Sequence, residues 1–290
     1  MRLYNGLLIS ENVTDLYGQH LEADTRVAFH ALHIDSIKEE NILIRANDTD
    51  VLIILLCNIT KFRSSIFLDF GLDHNNSRRI INITELSRTL DIDVLPGVYA
   101  LTGNDYVPSF HGKGKVRPMV LMNKNATFMA AFRKLGEDDL DEEVYNVLEE
   151  FVCHMYGFKK EKNIQKAIQV HFKLKCQPSK ASGKPLDSLK SVDPKGFPPC
   201  RAVLREQIKR AWFISNLYKN ATQPYPCNEY SELDFGWQLS EDRKFLDLKW
   251  FIGNQVPPEI ESIEKSAMSD DEDVENETDD SDDEEEDFED

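Results

Sequence analysis

Three acidic groups carry most of the chemistry this chain could do. They are Glu22-Ala23-Asp24, Asp48-Thr49-Asp50, and the single Asp105 within Leu101-Thr102-Gly103-Asn104-Asp105-Tyr106-Val107. Each stands beside an apolar run that reads as strand or helix. A carboxylate at the end of a core element is costly unless it meets solvent, a partner or a metal. Several facing one cleft would repel one another, and a divalent cation relieves that repulsion. Taken singly, each acid also reads as a cap: Asp48 suits an N-cap, and Glu22 or Asp24 suits a first helical turn. The i, i+2 spacing of both pairs can point two carboxylates into one space within a turn, but not within a regular helix.

The elements that must position these acids follow from periodicity. Residues 22–34 place Ala23, Val27, Ala28, Ala31 and Leu32 at helical spacing. Residues 41–46 predict a strand, 47–50 a turn, and Val51 begins a helix, which together make the start of a parallel α/β unit. Ligands in such units sit at the carboxyl ends of strands, where Asp48 and Asp50 fall. Residues 65–70 and 79–83 predict two more strands, joined as a hairpin through Asn75-Asn76. A short helix is expected over 84–90 with Thr84 as cap, and another starting at Pro96-Gly97. Residues 104–115 read as a loop and 118–175 as helical, most clearly at 142–156. An exposed loop over 177–199, a helix over 201–218 and an antiparallel strand pair within 230–252 complete the pattern. Residues 1–20 read as irregular apart from a short apolar piece at 7–9.

In this order, the three acidic motifs followed by Gly112-Lys113-Gly114-Lys115 resemble the core of the flap endonuclease and XPG-like 5′ nucleases over roughly residues 20–130. The block is also similar to uncharacterised invertebrate proteins associated with mobile elements. The resemblance implies a PIN-like α/β fold, a parallel sheet flanked by helices. It is followed by a mostly helical region. By the same resemblance Glu22 and Asp24 match an E-A-E-type motif, Asp48 and Asp50 a D-x-D pair, and Asp105 a G-x-D carboxylate. Those five would hold Mg²⁺ or Mn²⁺, two ions, with Asp48, Asp50 and Asp105 catalytic. Two hard cations on oxygen ligands activate a water and stabilise the leaving oxygen of a phosphodiester. Gly112, Lys113, Gly114 and Lys115 match the family's glycine-rich turn, which grips nucleic acid through backbone N–H groups and lysine charge. DNA is favoured over RNA as the partner. The chain departs from the pattern in three ways. Asp24 replaces a glutamate; two upstream aspartates and the first strand have no counterpart here; and the arch-forming segment is missing. The alternative is therefore a catalytically inactive module of the same fold that binds nucleic acid or protein.

Outside the motifs, composition sets bounds. The net charge of −18 is concentrated: residues 270–290 hold 16 of the 52 acidic residues and no Lys or Arg, leaving 36 acids against 34 bases elsewhere. That tail cannot bury enough apolar surface to fold and is expected to be disordered, a candidate contact for basic proteins such as histones. Ser269 and Ser281 precede acidic runs, a context acidophilic kinases favour. We expect both to be phosphorylated; finding them unmodified by mass spectrometry of native protein would remove that expectation. Basic residues are dense at 113–117, 159–166 and 201–210, and gain meaning only if they border the acidic cleft. Cys57, Cys153, Cys176, Cys200 and Cys227 include no Cys-x-x-Cys pair, which predicts reduced structural thiols. The longest apolar run, 51–57, is too short to span a bilayer, so a soluble nuclear or cytoplasmic protein without membrane partners is expected. His111 could assist a phosphate, Tyr106 is expected to pack under its loop, and Ser109 lacks His and Asp partners for a serine hydrolase. The domain reading is 1–135 for the α/β core, 136–260 for the helical region with its strand pair, and 261–290 for the tail.

Overall fold

The computed structural model describes residues 2–4, 7–9, 12–72, 77–137, 139–175, 193–227 and 229–250. The expected turn at Asn75-Asn76, most of the loop at 177–199, Cys176, both tail serines and the acidic tail lie outside these residues.

The first strands, β1 (Arg2–Tyr4) and β2 (Leu7–Ile9), pair antiparallel with Arg2 opposite Ile9. The expectation of an irregular start is corrected there. Strands of three residues are too short to show a period in sequence. The helix α1 (Ala23–Ile37) buries Ala28, Phe29 and Ala31 on one stripe. In β3 (Ile42–Arg45) the alternation is complete: Ile42 and Ile44 point inward, Leu43 and Arg45 outward. The chain then turns into α2 (Thr49–Asn58), whose Val51, Ile53, Ile54, Leu55 and Leu56 are all buried. A helix apolar on nearly every side belongs at the centre of a core.

The strand β4 (Ile66–Phe70) runs parallel to β3, with Ile42 opposite Ile66. Its other neighbour, β5 (Arg79–Asn82), is antiparallel. The sheet is thus mixed, in the order β3-β4-β5, and the parallel arrangement holds for its first pair only. A parallel return needs a crossover of a dozen or more residues, and the connection from Phe70 to Arg79 is shorter. Next comes α3 (Ile83–Ser87), capped by Asn82, whose side chain accepts from the Glu85 N–H at 3.1 Å. Thr84, the expected cap, instead accepts from the Ile66 N–H of the neighbouring strand at 3.0 Å.

The remainder is mainly helical: α4 (Leu95–Leu101), α5 (Val116–Asn123), α6 (Ala126–Lys134), α7 (Glu142–Met155), α8 (Ile164–Lys175) and α9 (Arg201–Lys219). Pro96 sits in the first turn of α4, where its missing N–H costs nothing. A hairpin of β6 (Trp237–Leu239) and β7 (Leu246–Leu248) follows, Trp237 opposite Leu248. Met1–Phe251 forms one compact unit. Its core joins Ile54 and Leu68 of the α/β part to Phe132, Phe151 and Phe213 of the helical part. The long α9 lies along α4 and touches α2, and this packing carries the later chemistry. Among the described residues no helix is long and apolar enough to cross a membrane.

Candidate metal centre

Local rules place each acid before tertiary packing is considered. Asp48 is the N-cap of α2, its Oδ1 accepting from the Asp50 N–H at 2.9 Å. Asp50 lies in the first turn of α2, Glu22 at the N-cap position of α1 and Asp24 in the first turn of α1. The caps differ, since the Glu22 side chain makes no capping bond and is free to reach elsewhere. Asp105 sits in the loop between α4 and α5, and that loop has a defined form. Gly103 adopts φ +106°, and a Cβ there would meet the Ser109 backbone at 2.5 Å, so only glycine closes it. Asn104 Oδ1 accepts from the N–H groups of Tyr106 (3.0 Å) and Val107 (2.9 Å), folding the backbone around Asp105. Gln207 of α9 then donates to the carbonyls of Leu101 (3.0 Å) and Pro108 (2.9 Å), pinning the segment on either side of Asp105.

Packing brings the groups together in a graded way. Asp50 is buried at the bottom, Glu22 and Asp24 are half-buried, and Asp48 and Asp105 stand exposed at the rim. The charges feel one another. Burial, and then repulsion from Asp24, Asp50 and Asp105, pushes the Glu22 carboxyl up to about 7, despite a hydrogen bond from Tyr106. Burial likewise raises Asp24, with Asp48, Asp50 and Asp105 adding to the shift. Glu22 and Asp24 thus sense all three other acids between them, although the motifs are separated by up to 83 residues in sequence.

Phenols hold the site. Tyr99 of α4 donates to Asp50 Oδ1 at 2.5 Å, and Tyr218 of α9 donates to Asp50 Oδ2. Tyr106 donates to Glu22 Oε2 at 2.5 Å. Tyr106 is thus at the rim, bridging its loop to α1, rather than under the loop. A phenol satisfies a carboxylate oxygen without neutralising it, so the negative charge stays in place. Burial and these carboxylates raise both Tyr99 and Tyr218 well above the ordinary phenol range. Lys115 is the nearby cation. Its ammonium donates to the carbonyl of Tyr99 at 2.7 Å and to that of Gly103, and lies 3.7 Å over the Tyr99 ring. Burial draws it down to about 8, with Asp50 opposing that fall. Of the residues expected at a nucleic-acid turn, Lys115 therefore spends its charge on the C-terminal end of α4. Lys113 stands 4.4 Å over the Tyr156 ring, and a Cβ on Gly112 or Gly114 would meet nothing within 4 Å.

Hard carboxylate oxygens, mutual repulsion and one buried oxygen without a partner, Glu22 Oε1, suit Mg²⁺ or Mn²⁺ in donor type and charge. In spacing, no group of three or more His, Cys, Asp or Glu side chains among the described residues stands close enough to hold a metal ion. The structure brings the five acids into one electrostatic cluster without drawing them onto a common point. No family model, curated protein or solved structure matches this chain. The function must be argued from the site itself.

Sequence reasoning missed Tyr99, Tyr218 and Gln207. Tyr218 lies 168 residues from the aspartate it binds, and nothing in its helical neighbourhood distinguishes it from other core aromatics. Asn104 fell within the expected loop at 104–115, but its side-chain bonds to the Tyr106 and Val107 N–H groups were not read from the sequence. His111 and Ser109 are exposed, and Cys57, Cys153, Cys200 and Cys227 are free thiols.

Proposed function

We propose that the chain is a nuclease-like protein of PIN type. Its carboxylates Glu22, Asp24, Asp48, Asp50 and Asp105 would bind Mg²⁺ or Mn²⁺ and act on phosphodiesters of nucleic acid, DNA ahead of RNA, in the nucleus or cytoplasm. The observation that carries this reading is that acids from three separate segments feel one another: burial first, and then repulsion from Asp24, Asp50 and Asp105, raise Glu22 to about 7. Buried carboxylates that also repel one another are a standing cost, and functional sites are where such costs are kept. The bound ions would supply Lewis-acid stabilisation of charge and an activated water. The chain's own contributions are positional. Tyr99 and Tyr218 fix both oxygens of Asp50; Tyr106 fixes Glu22; Gln207 and Asn104 hold the Asp105 loop rigid against α9. Lys113, half-buried over the Tyr156 ring in that same loop, and the open backbone at Gly112 and Gly114 are suited to phosphate oxygens.

A second reading, a non-catalytic binding module of the same fold, is favoured by two observations. Both Asp50 oxygens are already engaged by phenols, and no three acids stand at metal-holding spacing among the described residues. Purified full-length protein with Mg²⁺ or Mn²⁺ and labelled flap, hairpin and single-stranded substrates separates the two. Cleavage abolished in Asp48→Asn and Asp105→Asn supports the nuclease. The loss should exceed the roughly 10- to 100-fold typical of groups outside the ligand shell. Metal binding without cleavage supports the module. Neither binding nor cleavage removes the site assignment.

A further inference from the structure

The segment that follows α9 walls a cavity that the acidic centre does not use. It has two lobes, of about 450 and 320 Å³, which share Tyr225, Pro226, Cys227 and Tyr230. The end of α9 closes the first lobe, and Gln19 and Leu21, just before α1, close the second. The walls are fixed. The Gln19 N–H donates to the Pro224 carbonyl at 2.9 Å, and a Cβ on Gly18 would meet that oxygen at 2.3 Å. Pro224 and Pro226 stiffen the backbone on either side of Tyr225. The Tyr230 ring meets Trp212 edge-on at 4.9 Å and Phe235 edge-on at 5.7 Å. Among the described residues no Lys, Arg or His lines either lobe. Glu229 lines the first and Glu232 the second, and neither is in an ion pair among the described residues. The asparagine nitrogens are already spent: Asn216 Nδ2 donates to the Gly136 carbonyl at 2.8 Å, and Asn220 Nδ2 to the Asn216 carbonyl at 3.1 Å. What these two side chains have left is oxygen, and Asn216 Oδ1 receives only the Cys227 thiol, at 3.9 Å.

We infer that this cavity binds the guanidinium side chain of an arginine carried by a peptide. The inference does not rest on the nuclease reading. A guanidinium only donates hydrogen bonds, and this wall mainly accepts them. Its planar fork reaches several separate oxygens at once, which a lysine ammonium does less well. Two tyrosine rings in the shared wall attract a cation further. A polyanion would meet Glu229 and Glu232 with no cation beside them, so nucleic acid is not the occupant. The same charge turns away the chain's own acidic tail. A peptide is favoured over a free cation because the rim is apolar. Leu21 and Tyr225 are exposed there and can cover the residues that flank the charge.

Isothermal titration calorimetry of the full-length protein in EDTA tests this without metal or cleavage. The probe is a blocked short peptide whose central arginine is flanked by leucines. Exchange of that arginine for citrulline, neutral and of nearly the same shape, should weaken binding at least about tenfold. The double variant Glu229→Gln, Glu232→Gln should do the same to the arginine peptide. Tyr225→Ala, at an exposed ring, should weaken it about two- to fivefold. A control, Glu39→Gln with Glu143→Gln, removes the same charge from exposed positions elsewhere and should leave affinity unchanged. No binding of the arginine peptide, equal binding of the citrulline peptide, or full affinity in the Glu229→Gln, Glu232→Gln variant each overturns the site. An equal loss in the control overturns it too, since general acidity would then suffice. Full affinity in Tyr225→Ala overturns the part given to the rings. Methylguanidinium that binds as tightly as the peptide keeps the cation site and overturns the peptide as its source.

Discussion

Asp69 and the acidic centre pose the same physical problem and receive opposite solutions. Asp69, on β4, is gripped by Arg78 through Nη2–Oδ2 (2.7 Å) and Nε–Oδ1 (2.9 Å), and by Arg45 at 2.9 Å. The Arg78 hydrogen bonds foremost, together with the Arg45 charge, hold its carboxyl below the usual carboxylate range. Just beyond the end of the neighbouring strand, Asp50 is buried with two phenols and no guanidinium, and Glu22 and Asp24 are pushed upward. Where a buried carboxylate only has to be tolerated, this fold neutralises it with arginine. At the cluster the carboxylates receive neutral phenol donors, the nearby Lys115 ammonium is bonded to the Tyr99 and Gly103 carbonyls, and the charge is left for something else to meet. Arg45 is on β3 itself, so the lack of an arginine at the cluster is not a lack of arginine nearby.

The sharpest way to break this contrast is with a divalent cation. If the cluster is a metal site, Mg²⁺ at 100 times its Kd should raise unfolding stability by about 2.7 kcal/mol in urea melts. The gain should vanish in the Asp48→Asn, Asp105→Asn double variant. Asn caps a helix as well as Asp, and both positions are exposed, so that variant should keep its fold. Next in size is Tyr218→Phe, which leaves a buried Asp50 oxygen without its donor and should cost about 1–3 kcal/mol by denaturant unfolding. Tyr106→Phe, at a residue 36% exposed, should cost no more than about 0.5 kcal/mol. Equal costs would mean that burial does not distinguish the two phenols.

Lys115→Met should cost about 1 kcal/mol through the carbonyls of Tyr99 and Gly103 while leaving affinity for the hairpin substrate unchanged. A fall in affinity instead would return Lys115 to the phosphate contacts proposed for Lys113. A further effect is expected in pH. Glu22 holds its proton up to about 7 when folded, against an ordinary 4.5. Between those values the folded state binds more protons than the unfolded one, so this group lowers stability as pH rises. Asp24 acts in the same direction. Asp69 acts in reverse: its stabilisation is present above its ordinary 3.8 and is lost as pH falls through its depressed folded value. Glu22→Gln should flatten the fall between pH 4.5 and 7 and leave the variant more stable above pH 7. Its advantage there should be about 1 kcal/mol, after discounting for solvent screening at a part-exposed site. Saturating Mg²⁺ should flatten the parent curve in the same way.

Much of the scaffold was readable before the fold was known. The strand–turn–helix at 41–58 is legible because β3 alternates strictly and α2 is a continuous apolar run opened by a capping aspartate. The amphipathic faces of α7 and α9 and the aromatic β6–β7 pair were legible for the same reason. Cap choice at α3 was not. Thr84 and Asn82 both satisfy local rules, and the choice fell to Asn82 because the Thr84 hydroxyl is occupied by β4. Residues 2–9 were too short in each strand to display a period.

Sequence alone determined which residues carry the charge and where along the chain each would be held, because caps, turns and apolar periods act over a few residues. The tertiary structure decided what those charges meet. Asp50 and Tyr218 are brought together only when α9 packs along α4 and α2, and Asp69 finds its arginines only through strand pairing. Which partner arrives is set by the burial of whole helix faces, and a local stretch of sequence holds no record of it.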